Sequence, residues 1–265
     1  MKDSQSHGLK ILAVHSYAIH GTASMKAFNS ILGSRLLPVP SLVLTGLTNI
    51  SGFKKTTVAF EDLLLGSLEL ARQQKQKLLF YVGYLGSPQQ AEVILKGIHT
   101  YRDCIERVLV DPVSGDHGRV YVPPEIIEVW PSILQVAHWA FPNYTELQLL
   151  SGVGPQSGLI PREYLKIFGN RFPSLSVIAT SIPDTHNLEI GLLHKGVSEF
   201  IPITQLPQNY GGTGDVFAAI FVKKHFMQGL TLNESLHIAA TETAKAIQFS
   251  IEQNSKELLI YPNTF

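Results

Sequence analysis

The stretch Gly211-Gly212-Thr213-Gly214-Asp215 runs directly into Val216-Phe217-Ala218-Ala219, so a glycine-rich turn opens an apolar helix. Glycines let the backbone curve until successive N–H groups converge, and the helix N-terminus adds the positive end of its dipole at the same point. Gly212, Thr213 and Gly214 therefore frame an anion hole with the carboxylate of Asp215 beside it. Phosphoryl transfer needs positioning and charge stabilisation more than covalent help. A carboxylate at this place can take the proton of an attacking alcohol, which makes Asp215 the candidate catalytic base. The plainer alternative is an ordinary helix start with an acidic residue in its first turn.

Outward from this turn, short apolar runs alternate with helix-length amphipathic segments, the order expected of βαβ units in a parallel sheet. Residues 9–15, 36–44, 78–82, 108–110, 139–141 and 175–180 read as strands. Residues 23–32, 56–76, 88–102, 124–137, 144–150 and 162–171 read as the helices between them. The pattern then changes to strand-like runs at 188–193 and 199–204 around Lys195-Gly196, an antiparallel hairpin. Helices at 215–228 and 233–253 close the chain. The expected class is α/β, with a mostly parallel sheet extended by that hairpin.

The 265 residues are 45% hydrophobic and 16% charged, which suits a large buried core and one domain over residues 1–265. Lys+Arg and Asp+Glu both total 21, and the absence of a basic stripe points away from nucleic acid. The single cysteine, Cys104, excludes an intramolecular disulfide framework and a multi-cysteine metal site. Met1 to His7 is polar, without the apolar core of a secretory signal, and no run approaches a membrane span. A soluble, cytoplasmic protein with no membrane partner is the expectation.

In open parallel sheets the ligand crevice lies beyond the carboxyl ends of the strands. The segment 111–118 follows an apolar strand and carries Asp111 and Asp116 in a turn-rich interior, hard oxygen ligands suited to Mg²⁺ near phosphates. Asn143 and Glu146 stand three apart at a helix start, where both can face one ion or form a simple capping pair. Thr180-Ser181 ends another strand.

The Gly-Thr-Gly-Asp turn before a small-residue helix resembles the signature of the ribokinase-like superfamily. Three further segments resemble its pyridoxal kinase branch: Gly83-Tyr84-Leu85-Gly86-Ser87-Pro88, then Asp111-Pro112-Val113-Ser114-Gly115-Asp116-His117-Gly118-Arg119-Val120-Tyr121-Val122, then Pro142-Asn143-Tyr144-Thr145-Glu146-Leu147. The likeness runs from about Leu9 to Ala244. It implies a three-layer α/β/α sandwich and transfer of the ATP γ-phosphate to the 5′-hydroxymethyl group of a B6 vitamer. It also implies nucleotide contacts from Asp111, Asn143, Glu146, Thr180 and Ser181, with Mg²⁺ near Asp111 and Glu146, partly through water. Val113 and Asp116 are implied close to the nucleotide and substrate groove. Ser16, Thr48 and Tyr84 are implied on the vitamin side, a homodimer is implied by analogy, and a monovalent cation is compatible with it.

The chain departs from that branch in two places. The branch has Gln-Ser-His after its first strand where this chain has His15-Ser16-Tyr17. It has a His-Thr-x-Tyr-Gly stretch after the second where this chain has Leu47-Thr48-Asn49-Ile50-Ser51-Gly52. Both fall on the vitamin side, so the acceptor alcohol is less defined than the phosphate chemistry. Hydroxymethylpyrimidine or sugar kinases of the same superfamily, and a non-catalytic vitamer-binding protein, are the rival readings.

Other motifs carry less. Gly152-Val153-Gly154-Pro155-Gln156-Ser157-Gly158 has the wrong spacing for a dinucleotide fingerprint and follows a helix, so it reads as a loop and disfavours a dehydrogenase. His15 and His20, five apart without a third ligand, do not make a zinc site, and each reads as structural or solvated.

Overall fold

A computed structural model describes residues 8–48, 50–185 and 187–260. The polar Met1–His7 segment and Asn49 lie outside the described residues. The strands are β1 (Lys10–His20), β2 (Leu36–Gly46), β3 (Lys55–Thr56), β4 (Leu78–Val82), β5 (Ile105–Val110), β6 (Gly115–Asp116), β7 (Arg119–Val120), β8 (Trp139–Ala140), β9 (Ser176–Pro183), β10 (Leu188–His194) and β11 (Val197–Ile203). The helices are α1 (Met25–Leu32), α2 (Phe60–Gln73), α3 (Gln89–Thr100), α4 (Pro124–Leu134), α5 (Tyr144–Ser151), α6 (Pro161–Arg171), α7 (Thr213–Val222) and α8 (Leu232–Glu252).

Among the described residues the main sheet has nine strands in the order β11-β10-β9-β8-β5-β4-β1-β2-β3. The run from β2 to β9 is parallel. The β10–β11 hairpin extends one edge in antiparallel fashion, as its sequence predicts, and β3 caps the other. His194 pairs with Val197, leaving Lys195 (φ 50°) and Gly196 (φ 79°) as the two-residue turn. Both φ values are positive, the backbone a tight hairpin with right-handed strand twist requires.

Side chains alternate across each strand, and along β1 that alternation divides the core in two. Ile11 and Ala13 enter the layer packed by Phe28 of α1, Phe221 of α7 and Ala239 of α8. Leu12 and Val14 enter the other, with Leu64 of α2, Ile94 of α3, Trp130 of α4, Leu147 of α5 and Phe168 of α6. Helices on both faces explain why the central strands read as continuous apolar runs. The result is the expected α/β/α sandwich.

The structure corrects several boundaries. β1 continues five residues beyond His15, because Tyr17, Ala18 and His20 still pair with β2, so Ser16 lies inside the strand rather than after it. β9 likewise runs past Thr180 and Ser181 to Pro183 through its pairing with β10. Lys55 and Thr56 belong to β3, so α2 starts at Phe60. The closing part of the 215–228 helix is a separate π-helical turn over Lys223–Met227. The short β6–β7 hairpin was not predicted. The Gly152–Gly158 segment is a loop, as expected, and contains one short 3₁₀ turn.

Replacing Leu12, fully buried between β1 and the α2–α6 layer, with Ala should lower the unfolding free energy by about 2–5 kcal/mol. Urea unfolding with an unchanged m-value is the measurement, and a loss below about 1 kcal/mol would contradict this placement of the core.

Candidate active site

Gly212 sits at the N-cap of α7 with φ 94°. A Cβ there would lie 2.5 Å from the carbonyl oxygen of Thr22 and 2.9 Å from Cα of Ala23, so only glycine fits. This close approach presses the start of α7 against the segment that links β1 to α1. The first amides of a helix have no intrahelical acceptor, so the N–H groups of Thr213, Gly214 and Asp215 are available at that end.

Asp215, in the first turn of α7, is held by the same segment. The Ser24 amide donates to its Oδ2 at 2.7 Å. Ser24 adopts φ 56°, ψ −130°, a backbone region that costs a non-glycine residue about 1–3 kcal/mol. Ser16 steadies it, its hydroxyl donating to Oγ of Ser24 at 2.9 Å. On the other side, Nε2 of buried His15 approaches Oδ1 of Asp215 at 2.9 Å. The sequence points to Asp215 and Ser16, whereas nothing in it singles out Ser24, and His15 reads there as structural or solvated.

A second group of carboxylates lies behind this one. Asp111, directly after β5, accepts a hydrogen bond from the Tyr81 hydroxyl at 3.0 Å. Burial, then the charge of Asp215, pushes the Asp111 carboxyl up to about 7. Burial, then Asp111, pushes Glu146 well above the usual carboxylate range. Asn143 and Glu146 form a reciprocal capping box at the start of α5. Glu146 Oε2 accepts from the Asn143 amide and Oε1 from the Ser114 amide, both at 2.9 Å. The Asn143 side chain donates to the Gly115 carbonyl at 2.7 Å. The cap therefore ties the 111–116 loop to α5, and both oxygens of Glu146 are occupied by backbone donors.

Among the described residues, no cluster of three metal-ligating side chains occurs, and no Lys or Arg pairs with Asp111 or Glu146. Two buried carboxylates, Glu146 raised in part by Asp111 and Asp111 in part by Asp215, suit a divalent cation held by few protein ligands and completed by phosphate and water.

Between these groups and the hairpin edge opens a cavity of about 560 Å³. Thr180, Ser181, Thr213 and Gly214 line one end together with Asp116 and His117, and Ile190, Ile201, Phe217, Ala240 and Ala244 line an apolar end. Thr180 is brought to Asn143 by a parallel bridge and by its amide, which donates to the Pro142 carbonyl at 3.0 Å. Ser181 (φ 58°) and His117 (φ 49°) share with Ser24 the positive φ that non-glycine residues rarely adopt. Tyr84 is buried in the loop between β4 and α3, where burial raises its phenol. Val113 packs at the edge of the α2–α6 core layer. Thr48 is exposed in the turn after β2. Among the described residues, no hydrogen bond joins Thr48 or Tyr84 to the Asp215 cluster.

The chain and its fold have counterparts among known proteins. No family model matches the chain. Pyridoxal kinase of Arabidopsis thaliana is 29% identical over 233 residues, covering 80% of this chain and 73% of that protein. A candidate phosphomethylpyrimidine kinase of Bacteroides thetaiotaomicron, crystallised with pyridoxal, is 27% identical at a TM-score of 0.79, covering 91% of this chain and 88% of that one. Pyridoxal kinase of Leishmania donovani, in complex with ADP and pyridoxine, is 22% identical at a TM-score of 0.77, covering 96% and 91%. The chain resembles the pyridoxal kinases in sequence over most of its length and shares the fold of those solved structures. Its expected fold class stands with that likeness. No helix among the described residues is long and apolar enough to cross a membrane.

The buried acids tie stability to pH. A carboxyl raised on folding binds its proton more tightly in the folded state, so its contribution is present at low pH and lost as pH rises from about 4 to about 7. Asp111→Asn keeps an acceptor for Tyr81 and removes the charge. The ligand-free variant should therefore melt roughly 2–4 °C above the parent at pH 8, with the gain vanishing near pH 4. A variant that melts lower at pH 8, measured by calorimetry, would contradict the burden assigned to this carboxylate.

Proposed function

We propose that this chain transfers the γ-phosphoryl group of ATP to the 5′-hydroxymethyl oxygen of a B6 vitamer. The observation that carries the reading is the Asp215 carboxylate in the first turn of α7, directly after Thr213 and Gly214, which line the cavity. In this reading Asp215 takes the proton of the acceptor hydroxyl. The alcohol oxygen then bonds to the γ-phosphorus, the bond from phosphorus to the bridging oxygen breaks, and the electron pair leaves with ADP. The amides of Thr213 and Gly214 face the charge that builds on the transferred phosphoryl oxygens.

The nucleotide would lie with its phosphates toward Thr180, Ser181 and Thr213 and its base among Ile190, Ile201 and Phe217. Asp111 would hold Mg²⁺, in part through water, while Glu146 acts through the loop it anchors. When bound, that ion would neutralise charge on the phosphates. Relatives solved with ADP, pyridoxine and pyridoxal support both the nucleotide and the acceptor class. Ser16 and Tyr84 are the proposed acceptor-side contacts, with Thr48 nearby in sequence after β2. The likeness to the Bacteroides protein keeps a hydroxymethylpyrimidine as the competing acceptor.

The test is ADP release with Mg-ATP and a panel of pyridoxal, pyridoxine, pyridoxamine, hydroxymethylpyrimidine and ribose. Turnover with a vitamer is expected, and none with ribose. Turnover confined to the pyrimidine would replace the acceptor, and none at all would end the reading. Asp215→Asn should lower kcat by at least about 100-fold with the KM for ATP nearly unchanged. Near-parent kcat would remove Asp215 from the role of base.

A further inference from the structure

The ring of His15 is fixed on every side. It is 2% exposed, with the rings of Phe28 and Tyr81 at 6.2 and 6.4 Å between centroids. Gly83, at the end of β4, makes room for it: a Cβ at Gly83 would lie 2.6 Å from Nε2 of His15. The glycine at the head of the Gly83–Pro88 segment thus serves the imidazole on the adjacent strand β1.

Hydrogen bonding then sets which nitrogen carries the proton. The Ser16 amide donates to Nδ1 at 2.9 Å, so Nδ1 presents its lone pair there. In the neutral ring the proton consequently sits on Nε2, the nitrogen 2.9 Å from Oδ1 of Asp215. The approach is bent, with the N–H not aligned on the oxygen, as is common at catalytic hydrogen bonds before substrate binds. This ring has no free lone pair to offer a substrate, so it cannot itself be the base. It can only donate.

Asp215 meanwhile receives the Ser24 amide on Oδ2. A carboxylate oxygen has two acceptor directions. The Ser24 amide takes one on Oδ2 and Nε2 of His15 stands beside Oδ1, so directions remain on the carboxylate for an incoming proton. The carboxylate is oriented from both sides without being used up.

We propose that His15 is a positioning residue for Asp215, its Nε2–H holding the carboxylate at the angle that receives the acceptor proton. The proposal rests on the reading of Asp215 as base. It also gives meaning to the departure at this position: glutamine, found there in the resembling branch, also carries a side-chain N–H donor of similar reach.

Two measurements test it. Steady-state kinetics would compare the parent, His15→Ala, His15→Gln, Asp215→Asn and the His15→Ala/Asp215→Asn double variant, using Mg-ATP with the best acceptor of the panel. His15→Ala should lower kcat by roughly 10- to 100-fold, the scale of a misplaced catalytic group, with the KM for ATP within about twofold. His15→Gln should recover most of that loss, and the double variant should be no slower than Asp215→Asn alone. A His15→Ala kcat within about twofold of the parent would overturn the proposal. So would a correctly folded His15→Gln as slow as His15→Ala. Nitrogen-15 NMR of histidine-labelled parent protein supplies a readout free of turnover: the Nε2–H tautomer, with a signal that moves in Asp215→Asn. Finding the Nδ1–H tautomer would sink the positioning role even in an active kinase. The expected NMR result without turnover on any acceptor would instead end the reading of the reaction, and the positioning role with it.

Discussion

The start of α7 lies against residues 22 and 23 only because Gly212 has no Cβ, and the chemistry of Asp215 depends on that approach. A side chain at Gly212 would push the helix away from the β1–α1 segment, and with it the carboxylate from the Ser24 amide. The two partners are 191 positions apart in sequence. What brings them together is the packing of α1 and α7 on one face of the sheet, around Phe28, Val216 and Phe221. The helix layer therefore does more than bury apolar area: it sets a polar contact whose tolerance is a fraction of an ångström.

The electrostatics of the two sides of the site are opposed. At α7 the free amides and the helix dipole favour anions. At Asp111 and Glu146 two carboxylates are raised chiefly by burial, with donors supplied by Tyr81 and by backbone amides but, among the described residues, no cationic side chain. Desolvation makes such an arrangement costly in the folded protein. Local instability of this kind is expected where a protein keeps charge in reserve for a ligand rather than for its own fold. The capping box shows how the cost is contained. Asn143 and Glu146 satisfy one another and the 114–115 backbone, so only charge, and no hydrogen bond, is left uncompensated.

Much of the architecture was legible where one physical signal dominated. Leu78 to Val82 offers five consecutive apolar residues, and the strand has those bounds because both its faces are covered. Lys195-Gly196 is a turn because few residue pairs accept positive φ at both positions. Pattern failed where pairing decides. After His15 the sequence Ser-Tyr-Ala-Ile-His has no clear period, yet β2 offers it partners to Gly46, so the strand goes on. Strands of two residues, such as β3 and β6, are too short for any period to register. At the site, the glycine turn announced Asp215. His15 did not announce itself, because a histidine ending an apolar run looks the same whether its ring meets a carboxylate or a core. Ser24 was equally silent, since no propensity scale anticipates a serine held in a glycine-like conformation by a contact from the far end of the chain.

Those silent positions share a cause. A regular parallel strand sends its side chains up or down into the helical layers, and none toward the crevice at its end. Aiming a group at the crevice requires a break in the ladder. On β1 the register slips between His15 and Tyr17, where Ser16 faces both Ser41 and Leu42 of β2. On β9 it slips where Thr180 and Ser181 together oppose Ile190 of β10. Each slip is a bulge, and bulges re-aim side chains. The first puts the extra residue on β2, opposite Ser16 beside the carboxylate, and the second re-aims Thr180 with Ser181 in the cavity wall. Local rules are thus broken at the positions that meet the ligand and kept nearly everywhere else. A reading built on regular periods recovers the scaffold for that reason, and finds the site only where a residue such as Gly212 has a shape no other can replace.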